Sequence, residues 1–252
     1  MPAPPGPSQP EFRRPLSWLW VGGPAAVGRC GATDTVGLVS NVAVVVRYPI
    51  PGLTRTLDVS AKTLPVLLLG FALAYPDLGH MKDKAAGLRA VGYPLLAFTV
   101  PAIWWLNWRD RASFPWLADL MVTISCFTDT LGNPMNLYDT IVWFDDWMHF
   151  MNTGLLTGAV ILLTMRRTST LSATMERALA FGMTAAVAWE LAEYFAFISR
   201  SAERHSAYTD TLGDLTLGGM GAVVAALLLH TAWRTGRLRS VAPQLEGRSA
   251  LH

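Results

Sequence analysis

This chain of 252 residues is poor in charge: Asp, Glu, Lys and Arg make up 15% of it, against 52% hydrophobic residues. A soluble domain averages about 25% charged residues, so too few polar side chains are present to cover a water-facing surface. The basic excess is also small, with a net charge of +2 and the Arg dispersed, which argues against nucleic acid as a partner. There are two Cys, Cys30 and Cys126, both inside apolar stretches. No C-x-x-C or Cys/His metal spacing occurs, so both read as packing residues. P-loop, glycine-rich dinucleotide and G-x-S-x-G patterns are all missing, which argues against nucleotide hydrolysis and serine-hydrolase chemistry. No HExxH and no His-rich boxes are found among the 5 His.

What the chain does have is long apolar runs. A helix needs about 20 mostly apolar residues to cross a ~30 Å hydrocarbon core, and six stretches qualify: roughly 62–77, 90–108, 113–131, 143–165, 177–199 and 211–233. They are too long and too unalternating for barrel strands, and a lone strand would leave its backbone unpaired in lipid. Trp104, Trp105, Trp108, Trp116 and Trp233 fall near segment ends, where interfacial aromatics belong. The stretch 17–46 is apolar but interrupted by Pro24, Arg29 and Asp34, and is read as one imperfect further crossing. The fold expected is therefore all-α: a polytopic transmembrane helical bundle of six or seven crossings. It spans 15–235, between a disordered Pro-rich tail at 1–14 and a flexible cytoplasmic tail at 236–252.

Lys and Arg set the orientation. One side collects Arg47, Arg55, Lys62, Arg109, Arg111, Arg166, Arg167, Arg177, Arg234, Arg237, Arg239 and Arg248. The other has Lys82, Lys84, Arg89, Arg200 and Arg204, and none between 112 and 165. The richer side is expected to be cytoplasmic, with the C-terminus inside and the 132–142 and 200–210 loops outside. Arg13 and Arg14 read as a positive flank before the first segment, and fit six crossings better than seven.

Ionisable groups inside membrane segments cost several kcal/mol unless paired, solvated or used. Here they concentrate in the second half. Asp129 ends one segment; the next carries Asp145, Asp146 and His149 in WFDDWMHFMNTG. Glu190 and Glu193 follow in WELAEYF, then Asp210 and Asp214 in YTDTLGDLTLGG. Asp145–His149 and Asp210–Asp214 are spaced i,i+4, Asp146–His149 and Glu190–Glu193 i,i+3, and such offsets share a helix face. Asn152, Thr153 and Thr157 continue the His149 stripe. At ~1.5 Å per residue from the Arg-bearing ends, His149 lies ~25 Å up, Glu190 and Glu193 ~20–24 Å, Asp129 ~27 Å and Asp214 ~30 Å. Four consecutive helices thus put their charges in one layer under the outer interface. Gly218, Ala222 and Ala226, with Gly221 and Ala225, form the small-xxx-small pattern that lets helices approach closely.

In their order, YDTIVWFDDWMHF, WELAEYF and YTDTLGDLTLGGMGA resemble the YjdF-like family of uncharacterised bacterial inner-membrane proteins and, more distantly, VanZ-like membrane proteins. The resemblance covers roughly residues 115–230. It implies a compact helical bundle in a bacterial plasma membrane with acidic and His residues in its core. The residues it marks are Tyr138 and Asp139, Asp145 or Asp146 with His149, Glu190 and Glu193, and Asp210 with Asp214; it carries no established activity.

Three readings of the cluster stay open. As a metal site, Asp145, Asp146, His149, Glu190, Glu193 and Asp214 are ligands for a divalent cation such as Mn²⁺, Fe²⁺, Zn²⁺ or Mg²⁺, supported by Asp129, Tyr138, Asp139, Asn152, Thr153 and Asp210. Such a site can activate water or clamp a phosphate on a lipid substrate. As a transporter, the acids bind protons or cations. As structural glue, they pair with Thr, Asn and Tyr groups, with Asp210 a wet helix end or N-cap. No substrate is named by the sequence.

Overall fold

The computed structural model describes residues 48–75, 86–110, 112–132, 135–196, 198–200, 205 and 207–241, all within one unit, Val44–His252. The expectations for 1–14, for 17–46 with Arg13, Arg14 and Cys30, for Lys82 and Lys84, for the Asn133–Pro134 turn and for the tail beyond Val241 lie outside these residues.

Every regular element among the described residues is helical. The first, α1 (Gly52–Ala74), follows an extended Pro51 and starts ten residues before the expected 62. Arg55, Asp58 and Lys62 make this opening look like a polar loop. As a helix it pairs Asp58 with Lys62 one turn apart, 2.7 Å between Oδ1 and Nζ, a spacing that supports the helix. The expected 90–108 segment is instead α2 (Ala86–Ala97), a break at Phe98 (φ −99°, ψ 4°) and α3 (Thr99–Ile103). It ends in a π-helical turn, Trp104–Trp108, in which the Arg109 N–H reaches back to the Trp104 carbonyl at 2.8 Å. Phe114 then sits edge-on to Trp104 and Trp116, with ring centres 5.3 and 4.6 Å away, and so turns the chain into α4 (Trp116–Gly132).

Asn136, left-handed at φ 55°, opens the short α5 (Leu137–Thr140); Asn tolerates that conformation better than most residues. The long helices α6 (Phe144–Thr164), α7 (Leu171–Ala196) and α8 (Ala207–Arg234) follow. α6, α7 and α8 pack on one another, α6 also packs on α4, and α4 packs on α1 and α2.

Small residues make the α8 seams. Gly221 lies against the Phe150 carbonyl and Gly154 of α6, Ala222 against Gly182 of α7, and Gly218 against Ala186 and Thr153. The expected small-residue face is therefore the contact face, with Ala225 only half-buried beside it. Toward the C-terminal end of α8 from these seams, Ala118, Val122, Ala159, Ile161, Leu162, Ala178, Ala226 and Leu229 form the apolar core. Cys126 is a free, buried thiol packed with Tyr93 and Ala97, as a packing residue should be.

Large apolar side chains such as Leu67, Leu106, Phe195 and Leu228 face outward, the reverse of a soluble protein's economy. Among the described helices, α6 and α8 have the length and composition to cross a membrane.

Candidate functional site

His149 lies in the second turn of α6, 8% exposed, and three helices bring carboxylates to its ring. Asp145, one turn earlier on α6, places Oδ1 3.7 Å from Nε2. Asp214 of α8 places Oδ1 3.7 Å from the same nitrogen. Glu190 of α7 places Oε1 3.5 Å from Nδ1. Both imidazole nitrogens thus face acid oxygens at ion-pair rather than hydrogen-bond distance. The second Glu190 oxygen accepts a hydrogen bond from the Thr211 hydroxyl at 2.9 Å, which fixes the carboxylate and leaves Oε1 buried without a hydrogen-bond partner.

Two overlapping donor groups result: Asp145, His149 and Asp214, and His149, Glu190 and Glu193, each with ligand atoms within 4.8 Å of one another. Donors bound at ~2.1 Å to one ion at tetrahedral angles stand ~3.4 Å apart, so the 3.7 Å spacings around Nε2 are within a few tenths of an ångström of a ligand set.

Of the paired aspartates, Asp145 reaches the ring with 48% of its side chain still exposed, while Asp146 is exposed and belongs to neither group. The seam with α8 fixes the rotation of α6, and that rotation selects Asp145. Asp129 is buried and accepts a 2.5 Å hydrogen bond from the Tyr138 hydroxyl. Thr128 donates to Asn152 at 3.4 Å. Asp129, Tyr138 and Asn152 thus form a polar patch between α4, α5 and α6, outside both donor groups. Asp139 is exposed on α5. Asp210 is exposed as well, and it sits inside the first turn of α8 rather than capping it, because the helix begins at Ala207. Thr153 and Thr157 continue inward from His149; both are buried, and Thr157 Oγ1 has no hydrogen-bond partner.

Sequence reasoning missed two things. Thr211 gives no signal of its own; its role depends on how α7 and α8 meet. The other is a second buried polar cluster, Asp58, Lys62, Asp119 and Thr123, between α1 and α4. Lys62 was expected to mark the cytoplasmic loop side. Its Nζ lies 2.7 Å from Asp58 Oδ1 and 2.9 Å from Asp119 Oδ2 instead. The signal was present: Asp58 and Lys62 are one turn apart, and Asp119 interrupts the apolar run PWLADLMVTISCF.

Residues 63–235 match the model of a family described as "Predicted membrane protein (DUF2238)". No curated protein and no solved structure matches the chain.

Proposed function

The chain belongs to the DUF2238 family of predicted membrane proteins, and we propose that its acid/His cluster is a divalent-metal centre acting on a phosphate-bearing lipid headgroup. Asp145, His149 and Asp214 are the ligands in this reading, with Glu190 holding the other imidazole nitrogen. A carboxylate behind a metal-binding imidazole is the usual device for fixing its tautomer and orientation. The observation that carries the reading is the convergence of oxygens from α6, α7 and α8 on both nitrogens of one buried ring. Two of the acids, Glu190 and Asp214, are buried beside the ring, and a cation between them relieves their mutual repulsion. Three protein ligands leave coordination positions for water and substrate, and such an ion supplies Lewis-acid stabilisation of phosphate chemistry.

The lipid assignment draws on the rim. Trp143, Trp147, Tyr194, Phe195 and Tyr208 are exposed at the same end of α6, α7 and α8, the level at which aromatic side chains meet headgroups. In this reading the six helical stretches cross a bacterial plasma membrane with the C-terminus cytoplasmic. The Arg167 side chain donates to the Arg239 carbonyl at 3.3 Å, so the α6–α7 turn and the end of α8 share one Arg-rich face.

A second reading, proton- or cation-coupled transport, draws on the buried Thr153 and Thr157 that lead from His149 into the bundle, with Thr157 Oγ1 unpartnered. Elemental analysis of the detergent-purified full chain separates the two. Near-stoichiometric metal in the wild type and in Asp146→Asn, lost in His149→Ala and Asp214→Asn, is the expected result. Wild-type protein that holds no metal and is indifferent to chelator would sink the metal centre.

A further inference from the structure

The Asp58–Lys62–Asp119 triad is built with one negative charge too many. Asp58, Asp119 and Thr123 are each at most 1% exposed. The Lys62 ammonium has three protons to donate, and all three find acceptors: Asp58 Oδ1 at 2.7 Å, Asp119 Oδ2 at 2.9 Å and the Thr123 hydroxyl. Thr123 in turn has Asp58 Oδ1 and the Asp119 carbonyl within 2.8 Å of its hydroxyl. One ammonium therefore faces two carboxylates. An uncompensated charge in an apolar interior is costly enough that a group neutralises instead.

The two acids are not equivalent. Asp58 Oδ1 accepts from both Lys62 and Thr123, the environment of a carboxylate. Asp119 receives Lys62 on Oδ2 alone, and its Oδ1 is buried with no hydrogen-bond partner among the described residues. Among the described residues, Asp58 and Lys62 of α1 are the charged groups that meet Asp119. Beside it on α4, Ala118 and Val122 belong to an apolar core with Val100 of α3 and Ala159, Ile161 and Leu162 of α6. Tyr93 of α2 packs on Cys126, two turns further along α4.

We propose that the triad is a proton-binding site in which one proton resides on Asp119, separate from the acid/His cluster and independent of any metal there. Asp119 lies in the first turn of α4, ten residues or about 15 Å along the helix from Asp129, so the site serves the opposite end of the bundle. Lys62, with 11% of its side chain exposed, is the route by which the proton exchanges. Because α1 packs chiefly on α4, the bound proton neutralises that seam.

Charge counting makes the test quantitative. The carbonyl stretch of protonated carboxylic acids is measured by infrared difference spectroscopy on the full chain in lipid nanodiscs at neutral pH, each variant against wild type. Asp119→Asn is expected to remove one acid's worth of band. Asp58→Asn removes the same amount, because one carboxylate against one ammonium needs no proton. Lys62→Met adds one acid's worth, because both carboxylates then protonate. Asp214→Asn leaves the triad's share in place, read as the further loss in Asp119→Asn/Asp214→Asn. Should one Asp variant fail to fold, the other and Lys62→Met still carry the count, since they move it in opposite directions; should Lys62→Met fail, the equal losses in the two Asp variants carry it. A spectrum that neither Asp variant diminishes, or that Lys62→Met leaves unchanged, overturns the proposal and makes the triad a plain buried ion pair.

Discussion

Replacing Gly221 with Ala is expected to force α8 away from α6. A Cβ at 221 falls inside contact distance of the Phe150 carbonyl oxygen, 3.0 Å from the Phe150 carbonyl carbon and 3.1 Å from the Gly154 nitrogen. All three atoms are backbone, so no rotamer change relieves the clash. Non-bonded heavy atoms pack at about 3.5–4.0 Å, so relieving the oxygen contact parts the helices by about an ångström or more. Overpacking of this kind costs about 1–3 kcal/mol. Gly213, about two turns earlier on the same helix, is a matched control: a Cβ there meets nothing within 4 Å, and Ala gains up to about 1 kcal/mol of helix propensity over Gly. The two variants should therefore differ by about 1–4 kcal/mol in opposite directions from wild type. Thermal unfolding of the detergent-solubilised chain, followed by circular dichroism, reads the difference. Gly221→Ala should also loosen metal retention, because the seam sets the register of His149 against Asp214, whereas Gly213→Ala should not. If the two variants melt together, the close approach of α6 and α8 is wrong, and with it the convergence on His149.

Three other outcomes are expected. Tyr138→Phe removes the donor to buried Asp129 and should lower stability by about 1.5–3 kcal/mol, the worth of a hydrogen bond to a charged group, while leaving metal content unchanged; a loss of metal would tie Asp129 to the centre. Gly182→Val drives a branched side chain into Ala222 and Thr157 and should destabilise by at least as much as Gly221→Ala in the same melting assay. In a Cys30→Ser/Cys126→Ser background, single cysteines at Thr140 and Ser169 should be labelled by an impermeant thiol reagent from opposite sides of the membrane, and labelling from one side would refute six crossings with the proposed orientation.

How far the sequence reaches is best judged at Asp145 and Asp146. Both are within a turn of His149, at i,i+4 and i,i+3, so periodicity alone admits either. The choice is made by the rotation of α6, which the Gly154–Gly221 contact fixes, and that contact joins residues on different helices. The same holds for Thr211, whose bond to Glu190 exists only because α7 and α8 cross where they do. What was legible was what each helix decides alone: the apolar runs, the shared faces of Asp145 with His149 and of Glu190 with Glu193, and the small-residue stripe of α8. The meeting of His149, Glu190, Glu193 and Asp214 was legible too, because rise per residue converts sequence distance into position along each helix without knowledge of packing.

The start of α1 and the Asp58–Lys62–Asp119 triad show why the rule that located one polar cluster hid the other. Carboxylates with a lone histidine have no cation of their own in view, so they stand out as groups needing a partner. A lysine beside arginines reads as one more topology charge, and its aspartate as part of a wet loop. The physical test that tells them apart is pairing. Asp58 and Lys62 are spaced to bond one turn apart on a helix, while Asp119 sits in an apolar run with no cation within a turn of it. An acid stranded in one helix and a charge pair on the face of another are each other's most economical solution. In a bundle of this kind, counting charges per buried site, rather than per segment, predicts both where such helices meet and how many protons the meeting requires.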